Sequence, residues 1–218
     1  MKVLSIDTAG PVAGVALRVD GASWVRTERV TRGADTRLMP WAQALAAEAG
    51  IRLGELDGVA VGAGPGAFTG LRVGLAAALG LATAVGCPVV PLDTLRTRVH
   101  PWLSEGGVVL GALDARKGRL YAALWEGFAQ TRPSADLAPA RVFDGLAPGF
   151  LAVGEGALVY RDGVEAAGGA VVEGADDPGV IALAELGAAA LAAGEGMDPV
   201  AVRPTYLRAP DAKPRASR

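Results

Sequence analysis

The sequence predicts an α/β protein of two lobes, each a mixed sheet with flanking helices. Three observations support this fold class. Residues 2–30 have the pattern of three antiparallel strands, and residues 36–92 then alternate helix and strand. Near residue 108 the chain begins again with two strands joined by a turn. A chain of 218 residues is long enough for two such lobes, each with its own core.

The opening strands are predicted from apolar runs and turn residues. Residues 2–7 form an apolar run that ends in a turn rich in glycine and proline. Residues 12–19 and 22–30 alternate partly, and Asp20 and Gly21 between them are typical of a two-residue hairpin. The chain therefore starts with three antiparallel strands.

Helix and strand then alternate up to residue 103. Apolar residues recur at helical spacing over 36–49, and Pro40 requires the helix to begin nearby, where Asp35 or Thr36 can cap it. The elements predicted next are a strand at 57–61, a glycine-rich loop at 62–69, a helix at 70–85, a strand at 88–92 and a short helix at 94–103. Since the apolar stretch 71–85 contains Arg72, two Gly residues and one Thr, it predicts a buried helix and no membrane span.

The second half of the chain is patterned less clearly. Strands are predicted at 108–113, 119–125 and 151–153, and a helix at 180–193. Residues 130–148 are rich in Pro, Ala and Asp and are predicted to be a loop.

These elements divide the chain into three parts. Residues 1–104 form the first lobe, and residues 105–208 form a smaller second lobe, whose last helix is free to pack on either lobe. Residues 209–218 mix Pro with Lys and Arg and have no apolar residue larger than Ala, so they are predicted to be a flexible tail.

Composition and charge indicate a globular protein and argue against a chain that binds nucleic acid or membranes through its overall charge. Hydrophobic residues make up 51% of the chain and charged residues 20%, as in a folded globular protein. The formal net charge is -2, so the whole chain does not strongly attract nucleic acid or an anionic membrane. The single cysteine, Cys87, is expected to be a buried apolar residue. Because the N-terminus lacks the pattern of a signal peptide, we expect a cytoplasmic protein.

Four motifs carry a resemblance to a known family. Residues 64–74 read GPGAFTGLRVG and closely resemble the GPGSFTGLRIG signature of the TsaB (YeaZ) family. The segments SIDT at 5–8, LDAR at 113–116 and PTYLR at 204–208 also resemble motifs of that family. The resemblance implies the actin-like (ASKHA, ribonuclease-H-like) duplicated fold, which agrees with the order of strands and helices.

The resemblance also implies a function. It predicts a non-catalytic partner subunit that binds and supports TsaD in forming N6-threonylcarbamoyladenosine beside the anticodon of tRNAs. Expected partners are TsaD in a heterodimer, TsaE, a second copy when the chain is alone, and tRNA only through the complex. No cofactor is expected to bind tightly, and ATP or ADP is expected only within the complex.

The resemblance places the partner interface on the first two helices. The expected interface residues are Leu38, Trp41, Leu45, Phe68, Gly70, Leu71, Gly74 and Ala78. Residues 70, 74 and 78 form a ridge of small side chains that another helix can approach closely, so a bulky residue at Gly74 is expected to disrupt association more than folding. The alternative is that both apolar stripes face the sheet.

The glycine-rich loop allows two interpretations. A loop between a strand and a helix start can present backbone NH groups to a phosphate, but glycine can equally serve a tight turn into a closely packed helix. The P-loop pattern fails, because no Lys follows the loop. A dinucleotide-binding pattern, G-x-G-x-x-A at 62–67, is matched, but a Pro inside the turn and three preceding strands do not suit that fold.

Groups for catalysis and metal binding are not predicted. TsaD holds its metal through an H-x-x-x-H helix, and Thr94 and Arg98 stand at the matching positions here; an arginine cannot ligate a cation. His100 is the single histidine and is expected at the surface or a helix end. Asp7 and Asp114, near the ends of the first strands of the two lobes, are the candidates for a vestigial nucleotide site. The alternative hypothesis is a free-standing actin-like nucleotide-binding enzyme acting on a small molecule.

Overall fold

The first lobe is built on a five-stranded mixed sheet. The computed structural model describes residues 1–30 and 33–208, so the predicted tail lies outside the described residues. The strands of this sheet are β1 (Lys2–Asp7), β2 (Val12–Val19), β3 (Ala22–Arg29), β4 (Gly58–Gly64) and β5 (Val89–Asp93). They lie in the order β3-β2-β1-β4-β5. β1 pairs antiparallel with β2 and parallel with β4.

A second five-stranded sheet repeats this topology. Its strands are β6 (Val108–Arg116), β7 (Arg119–Glu126), β8 (Ala129–Leu137), β9 (Leu151–Val153) and β10 (Ala170–Val171), in the order β10-β9-β6-β7-β8. Here β6 pairs antiparallel with β7 and parallel with β9. Each sheet thus begins with an antiparallel hairpin and continues with parallel strands, so the duplicated α/β prediction is confirmed.

Helices cover both faces of the first sheet. The helices are α1 (Asp35–Glu48), α2 (Phe68–Val85), α3 (Thr94–Val99), α4 (Pro139–Phe143), α5 (Glu155–Val159), α6 (Arg161–Ala166) and α7 (Val180–Ala192). Alternate residues of a strand point to opposite faces. Accordingly, Leu4 and Val61 pack in one cluster with residues of α1 and α2, whereas Val3 and Ala60 pack on Leu183 of α7. α7 follows the second sheet along the chain but covers the first.

Two details of the first lobe differ from the predictions. The loop between β4 and α2 is shorter than predicted and comprises residues 65–67. The residue that precedes α1 is Ala34, and neither Asp35 nor Thr36 caps the helix; the Thr36 hydroxyl instead donates to the carbonyl of Gly33. Cys87 is buried, as expected.

The predicted loop at 130–148 is wrong. It contains most of β8 and the short helix α4. β8 is an edge strand of polar composition that also contains Pro133, so it lacks an alternating pattern. Its backbone pairing with β7, which local sequence does not encode, determines its structure. α5, α6 and β10 were also missed.

α2 is by length and composition long and apolar enough to cross a membrane. It nevertheless lies against β4 and β1 of the first sheet, as the core helix of a globular domain does. Five of its 18 residues are buried: Leu71, Gly74, Leu75, Ala78 and Ala82. Much of this apolar helix therefore faces outward.

Candidate functional site

The glycine-rich loop is packed closely against the end of β1. A Cβ atom at Gly62 would overlap the carboxylate of Asp7, and one at Gly66 would lie 2.5 Å from the Cβ of Ala9. A Cβ atom at Gly64, where φ is +120°, would overlap the backbone carbonyl of Thr205. Close packing therefore accounts for these glycines without any ligand.

Glycines of α2 continue this close contact. Thr8, which follows β1, donates from its hydroxyl to the carbonyl of Gly70 at 2.6 Å. A Cβ atom at Gly70 would overlap the Thr8 carbonyl, and one at Gly74 would lie 2.5 Å from Thr8 Oγ1. Gly70 and Gly74 thus allow α2 to lie directly on the turn after β1.

Most of the predicted interface residues face the interior of the first lobe. Leu38, Leu45, Leu71, Gly74 and Ala78 are buried in its core, so their contact with a partner stays a prediction that would require this packing to open. Trp41 packs partly on the same core, and Gly70 is half-buried. The helical periodicity that identified these residues marks the face that binds the sheet. Phe68, which is 44% exposed, is accessible to a partner.

The opposite face of α2, called here the outer face, is uncovered and consists mainly of small residues. Its exposed residues are Thr69, Arg72, Ala76, Gly80 and Thr83. Their spacing of three or four places them along one side of the helix. A Cβ atom at Gly80 would have no neighbour within 4 Å. The middle of the outer face, at Ala76 and Gly80, is therefore exposed, whereas Arg72 near one end contacts other side chains.

Exposed apolar side chains border the outer face at both ends. At the N-terminal end, Phe68 lies beside Tyr206 with ring centroids 5.2 Å apart. The guanidinium of Arg72 lies 3.8 Å from the Phe68 ring centroid and donates to the Tyr206 hydroxyl at 3.1 Å. At the C-terminal end, Met197 and Val200 are 39% and 74% exposed and line a shallow groove beside the last turn of α2.

A buried ion pair lies at the base of the cleft between the lobes. The side chains of Asp7 and Arg98 are 0% and 1% exposed. Arg98 donates through Nη2 to Asp7 Oδ1 at 3.1 Å and through Nη1 to Asp7 Oδ2 at 3.3 Å. Burial opposes the charge on Arg98, but Asp7 and Glu155 outweigh it and raise the pKa of the guanidinium.

Glu155 of α5 faces this ion pair from the second lobe. A Cβ atom at Gly10 would lie 3.2 Å from Arg98 Nη2 and 3.3 Å from Glu155 Oε2, so the two groups flank one point. Burial raises the pKa of Glu155, and the nearby Arg98 only partly offsets this effect. Asp7, Arg98 and Glu155 are called here the cleft cluster.

The cleft itself forms a cavity of about 560 Å³ lined by both lobes. Asp114 borders it and pairs with Arg116 at 3.2 Å. Asp7, the other nucleotide-site candidate, is not free for a cation, because both of its oxygens accept from Arg98. Thr94 Oγ1 accepts from the backbone NH of Gly64 at 3.1 Å. Across residues 1–30 and 33–208, no three His, Cys, Asp or Glu side chains are grouped as metal ligands would be.

A C-terminal segment ties the two lobes together. The backbone NH of Thr205 donates to the carbonyl of Ala63 in the first sheet at 2.7 Å. Arg208 Nε lies 2.9 Å from Asp136 on β8 of the second sheet. The sequence marked Arg208 within a motif, but it gave no signal for Asp136 or Glu155, which lie in regions without a recognised pattern. His100 ends α3, as expected.

Comparisons with known proteins identify relatives of this chain. A family model described as TsaD, tRNA N6-adenosine threonylcarbamoyltransferase, matches residues 26–158, more than half of the chain. The tRNA threonylcarbamoyladenosine biosynthesis protein TsaB of Escherichia coli is 37% identical over 123 residues, which are 56% of this chain and 53% of that protein. The match thus spans about half the length of that curated relative.

Two further relatives match over nearly their whole length. An uncharacterized protein of Mycobacterium tuberculosis is 35% identical over 225 residues, covering 98% of this chain and 95% of that protein. The solved structure of YeaZ from Pseudomonas aeruginosa is similar with a TM-score of 0.79 and 27% identity, over 94% of this chain and 99% of that one. Its similarity therefore includes both lobes.

Proposed function

Because the chain belongs to the TsaB (YeaZ) family, we propose that it is a partner subunit that binds and supports TsaD in forming N6-threonylcarbamoyladenosine on tRNA. The relatives of known name are biosynthesis proteins for this modified nucleoside. We infer the pathway from the names of these relatives, and we infer the mode of action from the exposed surface of this chain.

The observation that carries the proposal is the uncovered outer face of α2. A helix surface of small residues bordered by exposed apolar side chains is a typical protein-binding site. Small residues such as Ala76 and Gly80 let the backbone of a second helix approach closely. The surrounding Phe68, Tyr206, Met197 and Val200 would then be buried around its edge, and aromatic residues are frequent anchors of such interfaces.

The proposed role is non-catalytic. Both oxygens of Asp7 accept hydrogen bonds from Arg98, so this candidate carboxylate is not free to hold a cation. We propose that TsaD supplies the catalytic groups, that TsaE joins the assembly, and that ATP or ADP binds only within the complex. Binding of tRNA through the complex, pairing of two copies in the absence of TsaD, and a cytoplasmic location belong to the same proposal.

The test is co-purification with TsaD from the same organism, followed by modification assays with and without this chain. Gly80→Arg places a bulky charge on the outer face and improves helix propensity, so folding should be retained. We expect it to weaken TsaD binding at least about thirtyfold, roughly 2 kcal/mol. Val159→Arg changes a residue that is 60% exposed on the second lobe and is the matched control.

Undiminished TsaD activity without the chain would contradict the proposal. A free-standing nucleotide-binding enzyme is not favoured, since the first candidate carboxylate is engaged by Arg98. Calorimetry with ATP and Mg²⁺ distinguishes the two functions: tight binding with turnover by the isolated chain would support the enzyme.

A further inference from the structure

Hydrogen bonds connect the cleft cluster to the start of α2 without a break. Asp7 Oδ1 accepts from Arg98 Nη2 at 3.1 Å and from the backbone NH of Ala9 at 2.9 Å. The carbonyl of Ala9 accepts in turn from the backbone NH of Ala67 at 2.8 Å. Ala67 is the residue immediately before α2, and no side chain caps the helix there. Asp7 therefore fixes the backbone of Ala9, and Ala9 in turn fixes the residue from which the first turn of α2 starts.

A second contact fixes the same turn of α2. The Thr8 hydroxyl donates to the carbonyl of Gly70 at 2.6 Å, and the close approach of Thr8 leaves no room for a side chain at Gly70 or Gly74. Asp7 is adjacent to Thr8, so a shift of one requires a shift of the other. Phe68, which borders the proposed partner-binding face, lies on this first turn, and Arg72, which stacks on its ring, begins the next turn.

The buried charges are difficult to explain by stability alone. A buried ion pair such as Asp7 and Arg98 must overcome the desolvation of both groups, and well-packed apolar side chains often stabilise a fold equally well. Such a pair does, however, fix geometry, because each hydrogen bond has a defined direction. Arg98 holds the Asp7 carboxylate at both oxygens, and it also donates to the carbonyl of Thr94 at 3.1 Å.

We infer that Arg98 is a positioning residue for partner binding: through Asp7, Thr8 and Ala9 it sets the orientation of the first turn of α2. Because Glu155 of the second lobe faces the same cluster, the arrangement of the lobes is linked to that turn. This inference rests on the proposed function, in which the outer face of α2 binds TsaD.

The decisive variant replaces the ion pair by apolar side chains, Asp7→Leu together with Arg98→Met. It removes both charges of the pair together, and the buried Glu155, whose pKa burial already raises, becomes neutral once Arg98 is gone, so we expect an unfolding midpoint close to that of the wild type. It removes the hydrogen bond to Ala9, so we expect at least tenfold weaker binding to TsaD and faster hydrogen exchange at the amides of Ala67 and Leu71. A purely structural role would leave both measurements unchanged.

Thr8→Val removes the hydrogen bond from the Thr8 hydroxyl to the carbonyl of Gly70 without altering any charge. It replaces the double variant as the test if the double variant does not fold. We expect a several-fold loss of TsaD affinity and faster exchange in the same turn. Arg161→Met, which removes an exposed arginine that pairs with Glu165, is the control and should change neither. Wild-type affinity and exchange in Thr8→Val would overturn the inference.

The two proposals fail in different ways. If the wild-type chain does not bind TsaD, the proposed function is wrong, yet the exchange measurements still decide whether the cleft cluster holds α2. If the wild type binds TsaD and the variants bind equally well, the inference about Arg98 is wrong and the proposed function stands.

Discussion

The two faces of α2 each carry a glycine and an alanine, but the surroundings of these residues differ. The inner face carries Gly74 and Ala78, and the outer face carries Ala76 and Gly80. At Gly74 a Cβ atom would collide with Thr8, whereas at Gly80 it would meet nothing within 4 Å. In this helix, Gly74 thus marks close packing on the inner face, whereas Gly80 lies on an open surface.

This difference reverses the role expected for Gly74. On the sequence alone a bulky residue there was expected to disrupt association more than folding. Gly74 is instead in contact with the turn after β1, so such a substitution should act on the fold. The surface available to a partner lies about one third of a turn or more around the helix, at Ala76 and Gly80.

Gly74→Leu should therefore have the largest effect on stability. The new side chain must displace Thr8 and its hydrogen bond to Gly70. We expect a loss of about 3 kcal/mol in the free energy of unfolding, measured by urea denaturation followed by circular dichroism. A variant with wild-type stability that no longer binds TsaD would show that Gly74 belongs to the interface after all.

Phe68→Ala should act on the outer face with an intermediate effect. The ring is 44% exposed and stacks with Arg72 and Tyr206, so its loss should change the stability of the monomer little. We expect TsaD affinity to fall roughly tenfold, or about 1.4 kcal/mol, measured by calorimetry. Phe128→Ala, at a ring that is 61% exposed on the second lobe, is the control; equal losses in both variants would argue against the assigned surface.

Alanine substitutions at Gly74 and Gly80 test whether the two faces of α2 differ in packing. Both replace Gly by Ala in one helix and gain the same helix propensity of about 1 kcal/mol. We expect Gly80→Ala to raise the free energy of unfolding by roughly that amount, and Gly74→Ala to lower it because of the contact with Thr8. Thermal unfolding of both variants measures the difference, and a shift of the same sign in both would refute the distinction between the faces.

A change of pH is expected to have the smallest effect on stability. The outer face carries no Asp or Glu between residues 69 and 83, so any effect of pH on α2 should come from the cleft cluster, which is linked to the start of the helix through Ala9. Burial raises the pKa of Glu155 above its usual value of 4.5, and Arg98 and Asp7 face the same carboxyl. Its contribution to stability is therefore fully present below pH 4.5 and is lost as pH rises through the raised pKa.

Glu155→Gln removes this titration. Relative to the wild type, we expect the variant to be more stable at pH 7.5 than at pH 4.5, as measured by the unfolding midpoints at both pH values. Glu165→Gln, on the exposed surface of α6, is the control and should show a smaller dependence. A constant difference between wild type and Glu155→Gln across this range would contradict the raised pKa.

Local patterns were sufficient for much of the fold. The strand β1, the hairpin of β2 and β3, the helices α1 and α2 and the strand β9 lie within a few residues of their predicted positions. Apolar periodicity and turn residues encode these elements directly. β8 and α5 were missed, since an exposed polar strand acquires its structure from pairing with β7 and a five-residue helix has too few turns for a period to be visible.

The candidate site was predictable in outline but its internal contacts were not. Motif resemblance drew attention to the loop before α2, to Asp7 and to Arg98, and all three meet at the cleft. It gave no indication that Arg98 would bind Asp7, because 91 residues separate them along the chain. Periodicity likewise identified an apolar stripe on α2 without specifying what covers it.

The duplicated order of strands and helices, the family motifs and the amphipathic pattern of α1 are readable from the sequence, since they depend on neighbours along the chain. The open side of α2, the pairing of Arg98 with Asp7 and the need for Gly70 and Gly74 become visible only in the folded protein. Those properties depend on which distant segments come into contact, and a helix with small residues on every side carries no local record of that choice.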